Sequence, residues 1–426
     1  MPLDTAAIPG SHNIVRQTFP NGMTVLVKEN FSSPSVVIDG LLRAGAADDP
    51  AGKEGVSAFT SHMVMRGTAR RTFAQIYEEI EAVGATVDVS SGINFTSFGA
   101  KSLAEDLPLI ADILADVLQH PAFPEAEVEK ERGEILTDLQ ERANNTRRMA
   151  GLALRELLYP ADHPYRRSVQ GYAETVAAIT RDELINYYRS AYGANGLIVT
   201  IVGAVKAAEA LRMWEDKFAA WTGAQVDRGA PPAAPRLTER REKRVDIPGK
   251  SQSDLVLGLV GPARSAPDYL DARMANSILG VFGLYGRLGA RVREKGGLAY
   301  YSYSQLEGGL GPGAWQVIAG VDPANVDKAI PLIQAEIKRL IETKVTAREL
   351  KDNKSYMIGS MPIGLETNDG VAGVILDMEL YGLGLDYLVN YPQRINAINT
   401  ASVQAAAQKY LDAQNFALAV AGPVGS

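Results

Sequence analysis

The chain has no cysteine, and only four histidines among 426 residues. The first absence removes disulfides, thiol nucleophiles and thiolate-bound zinc together. It fits a reducing compartment, so a cytoplasmic protein is expected, or a periplasmic one if a leader has been trimmed. The second leaves His12, His62, His120 and His163, no two of them four residues apart. No helix can therefore offer a paired-histidine metal site. Basic residues are not in excess: 43 Lys and Arg stand against 50 Asp and Glu, a net charge of −7. That balance excludes nucleic acid or an anionic membrane as the main partner. No apolar run is long enough to span a bilayer. The first twenty residues lack a basic stretch leading into an apolar one, so no signal peptide is read there. What remains is an ordinary globular composition, 46% hydrophobic and 22% charged, on a chain too long for one core.

Local patterns predict an alternation of strands and helices. Arg16–Phe19 and Met23–Val27 read as a hairpin across Pro20-Asn21-Gly22. Val36–Leu42 is apolar enough for a buried strand. Gly55–Gly67 carries Val56, Phe59 and Met63 on one helical stripe. A helix over Phe73–Val83, strands over Thr86–Ser90 and Phe95–Lys101, and a helix over Leu107–Leu118 follow. Glu127–Leu158 reads as mostly helical and highly charged. Residues 223–244 hold three prolines and a charge run, and read as a solvated linker.

The two halves repeat each other. The segment from Ala177, which ends SAYGANGLIVTIVGAV, matches the segment from Asn396: a short lead-in, an amphipathic helix, an Asn, an apolar strand and a Gly. Ile179 matches Ile398 and Gly203 matches Gly422, a spacing of 219 residues that means a duplicated domain. The division expected is residues 1–222, a linker 223–244, and residues 245–426.

The segment GVSAFTSHMVMRGT resembles a zinc-peptidase helix that has lost most of its chemistry. The inverted zinc motif H-x-x-E-H sets two His ligands around a Glu base; here its places hold Ala58, Ser61 and His62. With FPNGMTVLV, ERGEILTDLQE, HPYRRSVQGYAETVAAITRDEL and ARVREKGGLAYYSY in this order, the chain resembles the M16 metallopeptidases, the group of pitrilysin and mitochondrial processing peptidase. The resemblance covers nearly the whole chain. It implies an α+β fold of two homologous domains, each a mostly antiparallel sheet backed by helices.

The same resemblance assigns the site residues. Asp138 stands where the family has its third zinc ligand, 76 residues after His62, and Glu131 matches a second acidic position. Arg293 and Tyr300, seven apart, match the family's Arg/Tyr pair, which grips the substrate backbone beside the metal. Gly280, Gly283 and Gly286 fall in a loop that handles substrate in a non-catalytic family subunit, and Arg287 is given a structural role only. The strand around Asp88-Val89, which pairs with peptide in the family, departs from the usual Asn-Ala and is expected to be a plain hairpin here.

The expectation is therefore a non-catalytic subunit that holds no metal or other cofactor and is inactive alone. Its partner would be a homologous catalytic subunit carrying zinc, and its substrate a peptide or unfolded protein. The alternatives are a structural scaffold without catalysis and a homodimeric peptide-binding protein.

Overall fold

A computed structural model describes residues 7–223 and 229–423. Its residues fall into two compact units that are discontinuous in sequence. The first holds residues 1–139, 168–229 and 362–390; the second holds 140–167, 230–361 and 391–426. Residues 224–228, inside the expected linker, lie outside the described residues.

The first unit is built on six strands: β1 (Val15–Thr18), β2 (Thr24–Glu29), β3 (Ser35–Leu42), β4 (Thr86–Ser91), β5 (Thr96–Leu103) and β6 (Ile198–Gly203). Their order across the sheet is β1-β2-β6-β3-β5-β4. Among the described residues of this sheet only β2 and β6 run parallel. The expected hairpin is present, with Thr18 opposite Thr24 and Gly22 at φ 87°, a conformation open to glycine at the turn. The apolar stripe of helix Val56–Met63 enters one core with helix Leu107–Gln119 and the inner face of this sheet. Helix Asn368–Leu380 packs on β3 and β6, where Thr200 Oγ1 donates to the Ala372 carbonyl at 3.3 Å.

The second unit repeats the plan with five strands: β7 (Arg241–Asp246), β8 (Ser253–Val260), β9 (Ala299–Leu306), β10 (Ala314–Val321) and β11 (Ala417–Gly422), ordered β7-β11-β8-β10-β9. Again one pair, β11 and β7, is parallel. Helix Thr146–Leu158 packs on β7, β8 and β11. Gly258 makes room for it: a Cβ there would stand 2.7 Å from the Leu154 methyls.

Two expectations change. The charged run does not stay a tether, because Arg241–Asp246 forms strand β7. Backbone pairing to β11 is enough to hold a border strand whose side chains stay in water. The long helical reading of Glu127–Leu158 is broken in two, Glu125–Ala143 and Thr146–Leu158. Asn145 causes the break by capping the second helix, its side chain accepting from Arg148 N at 2.9 Å. The first piece then belongs mainly to the first unit and the second to the second unit. Among the described residues no helix is long and apolar enough to cross a membrane.

Candidate functional site

Helix Val56–Met63 starts at Gly55, whose φ of 98° lets the chain turn into it. Asp49 anchors that start: its carboxylate accepts from Gly55 N at 2.7 Å and Ser57 N at 3.1 Å. Ala58 and His62, four apart, therefore share one face. They meet Glu131 and Asp138 of helix Glu125–Ala143 around a cleft of about 230 Å³. Ser61 turns away from it. Its hydroxyl is buried, donates to the Ala58 carbonyl at 2.7 Å and accepts from Ser91 N at 3.1 Å.

The donors in this cleft are committed to one another. His62 Nδ1 lies 2.8 Å from Glu131 Oε1. Arg66 forms an ion pair with Glu131 and another with Glu134. Burial pushes the Glu131 carboxyl up, but the hydrogen bond and charge of His62, with Arg66 behind them, more than offset it and hold it below its ordinary value. An ionised Glu131 only accepts, so His62 Nδ1 carries the proton of that bond. Asp138 accepts from Gln170 Nε2 at 2.9 Å.

This set does not fit a catalytic zinc. Such a site takes three protein ligands and a base. Ala58 has no donor atom, Ser61 faces the wrong way, and the cation of Arg66 sits on the nearest buried carboxylate. Among the described residues no group of three or more His, Cys, Asp or Glu is placed to hold a metal ion. Arg66 and Gln170 were not singled out from sequence. Arg66 lies four positions after His62, the spacing that could have flagged it.

Arg293 and Tyr300 belong to the second unit. Arg293 lies in the wide helical turn Gly289–Lys295, and Tyr300 follows in β9. Gly297 N donates to the Arg293 carbonyl at 3.0 Å and Leu298 N to the Val292 carbonyl at 3.1 Å, which closes the turn into the strand. The ladder between β9 and β10 pairs Tyr301 with Gly320 but Ala299 with Val321. Tyr300 is thus the extra residue of a β-bulge. Its side chain shares parity with buried Ser302 and Ser304, yet it is 62% exposed. A bulge re-aims a side chain in this way. Neither Arg293 nor Tyr300 has a side-chain hydrogen bond or ion pair among the described residues.

Two glycines of the preceding loop, Gly280 and Gly286, serve close packing. A Cβ on Gly280 would stand 2.3 Å from Ser304 N, and one on Gly286, at φ 59°, 2.7 Å from the Ile278 carbonyl oxygen. Gly283, at φ 67°, meets nothing within 4 Å. Arg287 is held by Glu349 at 2.7 and 3.0 Å. In the first unit, Asp88 of β4 stands across Gly99 from Asp39. Among the described residues β4 pairs only with β5. Burial, reinforced by Asp369 and Asp88, pushes the Asp39 carboxyl up to about 6.

Comparison with known proteins bears on this arrangement. Residues 24–163 match the family profile "Insulinase (Peptidase family M16)", and residues 178–357 match "Peptidase M16 inactive domain". An uncharacterized zinc protease of Streptomyces coelicolor is 29% identical, over 98% of this chain and 92% of that protein. The beta subunit of the mitochondrial-processing peptidase of Bos taurus is 26% identical, over 95% and 83%. A crystal structure described as a peptidase M16 inactive domain from Pseudomonas fluorescens superposes with a TM-score of 0.90 at 24% identity, covering 97% of this chain and 99% of that one. A protease from Helicobacter pylori gives 0.89 at 19% identity, covering 98% and 100%. The last two speak to the fold alone.

Proposed function

This chain belongs to the M16 peptidase family, and we propose that it is the non-catalytic subunit of a two-chain zinc metallopeptidase. The observation that carries the reading is an asymmetry. Around His62 the ligand and base positions hold Ala58 and Ser61, whereas Arg293 and Tyr300 stand on the second unit with no competing partner. A structural arginine is normally tied to an acid, as Arg287 is to Glu349.

In this reading the metal and the water-activating base belong to a homologous partner subunit. This chain supplies two hydrogen-bond donors, a guanidinium and a phenol, to the backbone of a bound peptide. Negative charge develops on the carbonyl oxygen during hydrolysis, and a fixed donor aimed at it contributes about 2.7–4 kcal/mol. The substrates are peptides or unfolded segments. A cytoplasmic location remains part of the proposal.

The test assays this chain, its partner and their mixture on an unstructured peptide. The mixture is expected to exceed the sum of the parts. Arg293→Ala or Tyr300→Phe in the mixture should lower turnover about 10²-fold. A partner fully active alone and indifferent to this chain overturns the proposal.

A further inference from the structure

Next to the bulge of β9 lies a second group of side chains, all within the second unit. Arg147 is the second residue of helix Thr146–Leu158 and is exposed. Its guanidinium lies 5.6 Å from the Tyr301 ring centre and 5.4 Å from that of Tyr303. It also donates to the Tyr303 hydroxyl. Tyr285, from the glycine-rich loop and at φ 67°, sets its ring 5.9 Å from Tyr303. The platform is fixed from below. Gly320, paired with both Tyr301 and Asp254, has no side chain, so the Tyr301 hydroxyl passes over it to donate to Asp254. Asp254 is 1% exposed and also accepts from Thr146 Oγ1 at 2.6 Å and Gln252 Nε2 at 3.2 Å.

Arg147 has no carboxylate partner among the described residues. Its polar bond is to a neutral phenol. A cation in the first turn of a helix is also opposed by the helix dipole. The arginine therefore lies beside two aromatic side chains at a place that electrostatics does not favour. One of its N–H groups is taken by the Tyr303 hydroxyl, and the group that takes two of the remaining N–H donors is a carboxylate. β9 is the last strand of its sheet, bordered by the glycine-rich loop: Gly280 packs against Ser304 N and Tyr285 against Tyr303.

We propose that Arg147, set beside Tyr301 and Tyr303 and bonded to the Tyr303 hydroxyl, is a specificity residue that binds an acidic side chain of a peptide. The occupant is assigned as a side chain, and a free chain end is the alternative that the test separates from it. The inference rests on the reading of peptide as substrate, but its test does not need the partner.

Three fluorescein-labelled, unstructured decapeptides are titrated against the full-length chain at low salt. One carries two Glu and a C-terminal amide, the second is its Gln twin, and the third is that twin with a free carboxyl terminus. The Glu peptide is expected to bind about tenfold tighter than its amidated twin, the scale of one charge-assisted contact. Arg147→Gln should abolish the difference, and Arg147→Lys should keep only part of it. Equal binding of the Glu peptide and its twin, including no binding of either, overturns the proposal. So does a preference unchanged in Arg147→Gln, and tightest binding by the free-terminus peptide overturns the side-chain assignment. If Arg147→Gln fails to fold, Arg147→Lys and Tyr303→Phe carry the test, each with a weakened preference expected and an unchanged one overturning it. Failure of the mixed-chain hydrolysis assay leaves this preference standing. A lost preference with intact hydrolysis of an uncharged peptide removes this inference alone.

Discussion

Gly203 and Gly422 occupy one position in two copies of the same sheet. Each ends the strand that follows the repeated helix, at φ 147° and φ 154°. Each presses on the serine that opens the neighbouring strand. A Cβ on Gly203 would lie 2.2 Å from the Ser35 carbonyl oxygen, and one on Gly422 2.2 Å from Ser253 Oγ. Alanine at either position should destabilise its unit by about 2–4 kcal/mol, through backbone strain and overpacking. Gly203→Ala should cost more, since a serine side chain can rotate and a carbonyl in a ladder cannot. Urea unfolding of both variants checks this, and equal midpoints to the parent would count against the close approach.

Arg293 and Tyr300 should separate activity from stability. Both lack side-chain partners, so Arg293→Ala and Tyr300→Phe are expected to move unfolding free energy by less than about 0.5 kcal/mol. A large loss of stability in either would show a structural role and remove the reason for assigning it to substrate.

The cleft beside His62 predicts a gain of metal binding. Ala58 is small and lines about 230 Å³ of space. Ala58→His with Asp138→Glu would rebuild three donors with His62. That double variant should retain zinc through dialysis, measured by elemental analysis, while the parent chain should not. One tightly held zinc per parent chain would contradict the assignment of the metal to a partner.

A buried and a half-buried carboxylate give the stability profile opposite slopes. Burial, against the pull of the Gly55 and Ser57 amides, pushes Asp49 up from 3.8 to about 7. Its raised value makes its share of stability complete below its unfolded value and lost as pH rises through about 7. Glu349 goes the other way: burial raises it, but Arg287 and Thr346 together hold it at about 2 against an ordinary 4.5. Its share is present above 4.5 and lost as pH falls toward about 2. Asp49→Asn should flatten the decline between the weakly acidic and neutral ranges, at the cost of one amide acceptor. Urea midpoints that fall in parallel for parent and variant would refute the assignment.

Much of this was legible in sequence because it rests on local signals. Pro20-Asn21-Gly22 dictates its hairpin, and the Ile179/Ile398 and Gly203/Gly422 pairs report the duplication. The placement of Ala58 and His62 on one face follows from helical spacing. Other features depend on partners far along the chain. Asn145 looks like one more polar residue in a charged helix, and only the cap reveals that it ends one segment and starts another. β7 carries REKRVD, which no apolar pattern marks as a strand, because its pairing comes from the backbone. Arg147 is one arginine among many until Gly320 lets Tyr301 reach Asp254 and fixes the rings against it.

The second sheet ends in two unlike borders. Along β7 the side chains of Arg241, Glu242, Lys243 and Arg244 all stand in water, and such a fringe of charge repels any further strand that would join there. At β9 the fringe is tyrosine and serine. The two borders therefore differ in charge: the repulsion that β7 offers an approaching strand is missing from β9, where Tyr300 projects.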